Sequence, residues 1–214
     1  MAHDEHRHNV PAAADQPFDW DERYASAEQL WSGEPNPALV EAATSRAPGR
    51  AVDVGCGEGA DAVWLAEQGW DVTALDVSAV ALERAARHAQ DAGVSVHWIH
   101  AGLLDAGLEA GDFDLVSVQY PVLLKTADAA AEHTLMDSVA LGGILVIVHH
   151  ADFHVDERLP SGLNPADFVG PWDVAPLLGN GWRIDVYENR PRTLTAGAGA
   201  HHTEDVVLIA RRVH

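Results

Sequence analysis

A chain of 214 residues is long enough to bury one large core and short for two. Its 33 acidic residues against 13 basic ones leave a net charge of −20 with histidine neutral, which repels nucleic acid except at a concentrated basic patch. No such patch is visible, because Arg190 with Arg192 and the Arg211, Arg212 pair are too sparse and read as solvated surface. No apolar run approaches the ~20 residues of a membrane span, no charged-then-apolar signal opens the chain, and the single cysteine, Cys56, excludes an internal disulfide. A small-molecule partner and a cytoplasmic address are therefore expected; nothing in the sequence sets an oligomeric state.

In chain order, residues 1–17 are polar, rich in His, Ala and Pro, and have no apolar period, so they read as a disordered tail carrying His3, His6 and His8. Residues 18–214 read as a single domain whose first part, 18–48, forms lead-in helices. Short helices are expected over Asp21 to Leu30 and Pro37 to Ser45, the second capped by Asn36 with Pro37 in its first turn. Strands and helices then alternate: strand Arg50 to Val54, helix Asp61 to Gln68, strand Asp71 to Leu75, helix Ala79 to Ala92, strand Val94 to Ile99, strand Phe113 to Val118, helix Ala127 to Ala140, strand Ile144 to Val148. Apolar strands alternating with helices imply a parallel sheet covered on both faces. Ala151 to Pro171 reads as loop and Asp173 to Leu178 as a short helix. The strands Arg183 to Tyr187 and Asp205 to Ala210, with no helix between them, should form an antiparallel hairpin at one sheet edge. The fold class is α/β, a Rossmann-like three-layer sandwich with a mostly parallel seven-stranded sheet and an antiparallel C-terminal strand.

The stretch AVDVGCGEGA, Ala51 to Ala60, closes the first strand with three glycines on alternate positions. Gly55, Gly57 and Gly59 allow a tight turn with positive φ and let a ligand lie against bare backbone. Asp76 closes the second strand about twenty residues later, where a carboxylate accepts both hydroxyl hydrogens of a ribose, so a nucleoside ligand follows. Gly55, Gly57 and Ala60 also satisfy the dinucleotide pattern G-x-G-x-x-G/A, and the motif alone does not choose between ligands. Asp53 leans toward a cationic one, because a carboxylate just before the first glycine suits an ammonium group and sits poorly beside a pyrophosphate.

VDVGCGEG followed by Asp76 resembles the first two motifs of the class I S-adenosylmethionine-dependent methyltransferases, and the antiparallel end resembles their last strand. WDERYASAEQLWSGEPNPALVE, Trp20 to Glu41, is further similar to the small bacterial methyltransferases related to the tellurite-resistance and thiopurine enzymes. The resemblance implies S-adenosylmethionine as cofactor, S-adenosylhomocysteine as product and a small-molecule methyl acceptor. It also implies that Asp53, Gly55, Cys56 and Gly57 face the methionine part, Asp76 the ribose and Val77 the adenine. HAGLLD, His100 to Asp105, falls where the family has an acidic residue on the adenine amino group; here Gly102 stands in that place, leaving backbone near Gly102 and Leu103, or Asp105. Gln119 and Tyr120 follow the fourth strand and would line the transfer pocket, and Gly142 with Gly143 mark the turn before the fifth.

Methyl transfer from a sulfonium is an in-line displacement in which alignment in a water-poor pocket supplies most of the catalysis, so a dedicated base is optional. Tyr24 and Trp31, with Trp20, could form a lid whose ring faces favour the cation, or could simply pack the leading helices. HHADFH places His149, His150, Asp152 and His154 after the fifth strand, where a histidine could take the proton of a hydroxyl or thiol acceptor. Ordinary loop histidines, or a weakly signalled divalent-metal site, are the alternatives, and no metal is expected. The candidate catalytic residues are thus His149, His150 and Tyr24. An NAD-dependent oxidoreductase, or a cofactor- or metal-binding sensor without turnover, stays open beside the methyltransferase.

Overall fold

The computed structural model of the chain describes residues 18–151, 164–193 and 196–214. The N-terminal tail, with His3, His6 and His8, and the loop segment holding Asp152 and His154 lie outside the described residues. Two short helices lead in, α1 (Trp20–Ala25) and α2 (Pro37–Thr44), followed by β1 (Arg50–Val54), α3 (Ala60–Glu67), β2 (Asp71–Asp76), α4 (Ala79–Ala92), β3 (His97–His100) and β4 (Phe113–Gln119). Then come α5 (Ala130–Ser138), β5 (Val139–His150), α6 (Pro171–Val174), β6 (Trp182–Pro191) and β7 (Glu204–Arg212).

The strands form one sheet in the order β3-β2-β1-β4-β5-β7-β6. The first five are parallel; β7 inserts antiparallel to β5, and β6 pairs antiparallel to β7 at the edge. Strand periodicity sends alternate side chains to opposite faces. Ala51, Val72, Leu115, Val146 and Ile209 pack with α2 and α3, while Val52, Leu75, Val116, Ile147 and Leu208 pack with α5 and α6. That is the expected three-layer sandwich. The reversal of strand order falls between β1 and β4, and the carboxyl edge there is where open α/β sheets bind ligands.

Several expected boundaries shift, the third strand starting at His97 instead of Val94, the sixth running on to Pro191 and the late helix covering Pro171–Val174 among them, and three shifts show the local reason. The first helix stops at Ala25 instead of reaching Leu30, because the Leu30 and Trp31 amides donate to the Glu58 carboxylate at 3.0 Å and leave the helical ladder. The fifth helix spans only Ala130–Ser138, and the strand after it begins at Val139, which pairs with Phe113. That strand also runs on through His149 and His150, whose backbones pair with Val206 and Asp205 of β7. The two histidines therefore end a strand and are buried, instead of following it in a loop. At the start of α2 the expected cap holds, with the Asn36 side chain accepting from the Ala38 amide at 2.9 Å.

Candidate active site

The glycine turn is tied to its neighbours by backbone hydrogen bonds. The Gly55 and Cys56 amides both donate to the Leu75 carbonyl, at 2.8 and 3.0 Å, and the Gly57 amide donates to Asp76 Oδ2 at 2.9 Å. Gly59, at φ 84°, begins α3, and a β-carbon there would lie 2.8 Å from that of Ala85, so its bareness lets α3 and α4 approach. At Gly57, φ 53°, a β-carbon would lie 2.9 Å from the Tyr24 hydroxyl and 3.1 Å from Trp31 Nε1. The turn thus lies directly beneath two aromatic side chains of the lead-in segment.

Three carboxyl groups surround this turn. Asp53 is buried, with the Ser117 hydroxyl and the Ala62 amide near enough to favour its ionised form, and keeps Oδ2 without a hydrogen-bond partner. On the adjacent strand Gln119 donates through Nε2 to Ser117 Oγ at 3.1 Å, and its Oε1 is likewise buried without a partner. Two bare acceptors on neighbouring strands call for a donor, since an unmet buried acceptor costs about 1–3 kcal/mol. An ammonium group meets that demand and a pyrophosphate does not, so the residues fit the amino acid end of S-adenosylmethionine. Burial, then the negative charge of Asp61, push the Asp53 carboxyl well above the usual range. Burial also raises Asp61 to about 6, opposed by the Asn36 amide that donates to it. Burial, then the charges of Asp53 and Asp76, push the Cys56 thiol up. A protonated thiol in the turn suits a small packing residue and not a nucleophile.

On the nucleoside side, the Ser78 amide donates to Asp76 Oδ1 at 2.9 Å. Each Asp76 oxygen therefore holds one backbone donor and retains lone-pair capacity for a ribose hydroxyl. The Val77 carbonyl meets His100 Nε2 at 2.9 Å. A β-carbon on Gly102 would reach only 3.7 Å from Val77 Cγ1, which leaves a shallow gap beside that valine. The Leu103 side chain is buried in the core, so it offers a ligand only its backbone, and Asp105 is exposed.

The lead-in segment is strapped across the turn. Trp31 Nε1 donates to the Tyr24 hydroxyl at 2.8 Å, and Tyr24 is buried, with its phenol held protonated by burial and the charge of Asp76. Glu58 takes the Leu30 and Trp31 amides and pairs with Arg84 at 2.8 Å, while Arg84 also donates to the Tyr24 and Ala27 carbonyls at 2.9 and 2.7 Å. Asp21 accepts from Ser78 Oγ at 2.6 Å. Ala198, in the β6–β7 connection, donates to the Leu30 carbonyl at 2.8 Å. Sequence reasoning read Tyr24 and Trp31 either as a lid or as packing for the leading helices, and missed the residues that fasten this segment, because Glu58 and Arg84 carry no motif.

The two strand-end histidines face different surroundings, as alternation requires. His149 packs edge-on against Trp172, and burial together with the nearby His150 lowers it to about 4. His150 stacks between Tyr120 at 4.4 Å and His202 at 3.7 Å, and its Nδ1 meets Asp205 Oδ1 at 3.2 Å. Tyr120, at φ 51°, donates its hydroxyl to Asp205 Oδ2 at 2.8 Å and accepts from Arg192 and from Asn36 Nδ2. Arg192, expected on a solvated surface, is buried: its side chain is only 6% exposed, and Nη1 lies 3.2 Å from Asp205 Oδ1. Asn36, Asp205 and Arg192 were all missed as site residues. Through Asn36, whose amide donates to Asp61 at 2.6 Å, this cluster connects to the carboxyl groups beneath the glycine turn. Among the described residues no group of three or more His, Cys, Asp or Glu side chains is arranged to hold a metal ion, and no helix is long and apolar enough to cross a membrane.

The resemblance drawn from the glycine turn and Asp76 holds. The sequence model of the family described as "Methyltransferase domain" matches residues 51–141, from β1 into the start of β5. An uncharacterized methyltransferase of Mycobacterium bovis is 35% identical over 112 residues, 52% of this chain and 55% of that protein. The chain thus spans about half the length of that relative. Among solved structures, the N-methyltransferase NodS from Bradyrhizobium japonicum, in complex with S-adenosylhomocysteine, superposes with a TM-score of 0.70 at 20% identity over 94% of this chain and all of that one. TehB from Haemophilus influenzae does so at 0.63 and 15% identity over 84% and 62%. The fold is that of the class I S-adenosylmethionine-dependent methyltransferases. The chain resembles that class both in its folding plan and in the glycine-turn segment.

Proposed function

We propose that the protein transfers the methyl group of S-adenosylmethionine to a small-molecule acceptor, with residues 18–214 working as one unit and 18–48 as its lid. The observation that carries this reading is the pair of bare buried acceptors, Asp53 Oδ2 and Gln119 Oε1, beside the glycine turn and Asp76. The cofactor supplies an electrophilic methyl carbon on a sulfonium. Asp53 and Gln119 would hold its ammonium end, Asp76 its ribose, and backbone near Val77 and Gly102 its adenine. Tyr24 and Trp31 would close over the turn and exclude water, with ring faces favouring the positive charge. His150 and Tyr120 would border the acceptor. A small acceptor suits a surface at −20 net charge, which disfavours RNA or DNA.

The test is a thermal-shift titration with S-adenosylmethionine, S-adenosylhomocysteine and NAD in parallel, since a ligand at ~100 times its dissociation constant adds about 2.7 kcal/mol of stability. The first two should raise the midpoint and NAD should not. A rise with NAD alone overturns the reading in favour of an oxidoreductase.

A further inference from the structure

His150 and Asp205 face each other across the β5–β7 ladder, as partners in its register, so the contact between them is set by the sheet and not by a loop. Asp205 receives a hydrogen bond from Tyr120 on one oxygen and the Nη1 group of Arg192 near both. Burial opposes its ionisation, yet the hydrogen bonds from His150 and Tyr120 and the charge of Arg192 together hold the carboxyl below its usual range. An ionised carboxylate can only accept. The Nδ1 of His150 must therefore be the donor, which leaves the lone pair of the neutral ring on Nε2.

Two further features fix the ring. It is sandwiched between Tyr120 and His202, and Tyr120 itself is held in a left-handed backbone conformation with its hydroxyl engaged by Asn36, Arg192 and Asp205. Nε2 points toward Gly199, where a β-carbon would come within 3.4 Å of it. The connection that contains Gly199 is the one whose Ala198 touches the lid at Leu30. The ring nitrogen and the segment over the glycine turn are thus joined through two consecutive residues, Ala198 and Gly199.

We propose that Asp205 is a positioning residue that locks His150 in the Nδ1-protonated tautomer, so that Nε2 receives the proton of the methyl acceptor. This rests on the methyltransferase reading. The step balances for a hydroxyl or thiol acceptor. Its oxygen or sulfur forms the bond to the methyl carbon while the bond from that carbon to the cofactor sulfur breaks, the electron pair remaining on sulfur, and the acceptor's proton goes to Nε2. Burial lowers His150 below the ordinary histidine range, the Asp205 hydrogen bond opposes this, and the charges of His202 and Arg192 add to it. His149 beside it and Tyr120 against its face are further titratable neighbours. The ring is accordingly a neutral base at pH 7.

The experiment is nitrogen-15 NMR of the histidine rings in the full chain, titrated from pH 4 to 9, with S-adenosylhomocysteine binding followed separately by calorimetry. The neutral His150 ring of the wild type should carry its proton on Nδ1, and this needs no substitution. In Asp205→Asn, the loss of a nearby negative charge should lower the His150 midpoint by roughly one pH unit. In Arg192→Gln, the loss of a positive charge should raise it. The opposite shifts report the two charges at the ring, and the proton position in the neutral ring reports the tautomer that Asp205 sets. A proton on Nε2 in the wild type, or a midpoint that does not fall in Asp205→Asn, overturns the proposal. Absence of S-adenosylhomocysteine binding overturns the methyltransferase reading instead and leaves the ring measurements to decide the pairing.

Discussion

Glu58 is the residue on which the strapping of the lead-in segment, the proposed lid, most depends, and Glu58→Ala should release it. Its carboxylate accepts from two consecutive backbone amides, Leu30 and Trp31, and pairs with Arg84, which in turn ties down the Tyr24 and Ala27 carbonyls. Hydrogen bonds to a charged acceptor contribute roughly 1.5–3 kcal/mol each, and they are not additive. The ion pair, 12% and 18% exposed on its two side chains, lies between a surface pair at about 0–1 kcal/mol and a buried one whose rupture costs about 3–5. A loss of about 3 kcal/mol confined to the segment before α2 is therefore expected. Amide hydrogen exchange at Leu30 and Trp31 reads this directly, because local opening sets the protection there. Their protection should fall about 100-fold, while amides in β1 and β4 stay as they are. Affinity for S-adenosylhomocysteine should fall by less, since only the part of the loss that exceeds the lid's own closing free energy reaches the binding constant. Unchanged protection at Leu30 and Trp31 would refute the strap as the element that holds the lid.

Three further outcomes are expected. Asp76→Ala should weaken S-adenosylhomocysteine binding by about 1–3 kcal/mol in calorimetry, through lost charge-assisted hydrogen bonds to the ribose; unchanged affinity would remove Asp76 from the site. Gly59→Ala places a β-carbon 2.8 Å from that of Ala85 at φ 84°, so urea denaturation should show a loss of at least about 1–2 kcal/mol from the left-handed backbone alone. Asp61 is raised from 3.8 to about 6, so its contribution to stability is complete below about pH 4 and is lost as pH rises through 6, roughly 3 kcal/mol in all. His149, lowered to about 4, slopes the other way over the same window; Asp61→Asn should therefore be more stable than the wild type at pH 8, match it near pH 4, and show a steeper rise between, in denaturation at each pH.

The parts of this protein that were legible in the sequence are those that local pattern dictates. The strand Arg50–Val54 and the helix Ala79–Ala92 were readable to the residue because a short, mostly apolar run closed by a glycine turn and an amphipathic stripe bounded by Ser78 and Gly93 leave little choice of element. The placement of Asp53 and Asp76 beside the glycine turn was readable for a similar reason, since each stands at the carboxyl end of a strand, Asp53 one residue before the last position and Asp76 on it. What failed locally failed where a distant partner outbid the local preference. The residues after Ala25 have helical composition, yet Glu58, 28 positions from Leu30, captures their amides.

The histidine cluster was hidden for a stronger version of that reason. His149 and His150 were read as candidate catalytic residues but placed in a loop after the strand, because the strand partner that orders them, β7, lies more than fifty residues further on. Asp205 and Arg192 occupy unremarkable positions in the sequence, one near a strand start and one just past a strand end, and become informative only when the antiparallel insertion of β7 sets Asp205 opposite His150. Arg192 is buried, in a chain so acidic that its few arginines read as surface, because a carboxylate and a phenol meet it there and offset the cost of desolvating its charge. Register, not composition, creates this site. A one-residue slip of β7 would turn Asp205 to the other face of the sheet, leave Arg192 buried without its counter-charge, and remove the acceptor that fixes the His150 tautomer.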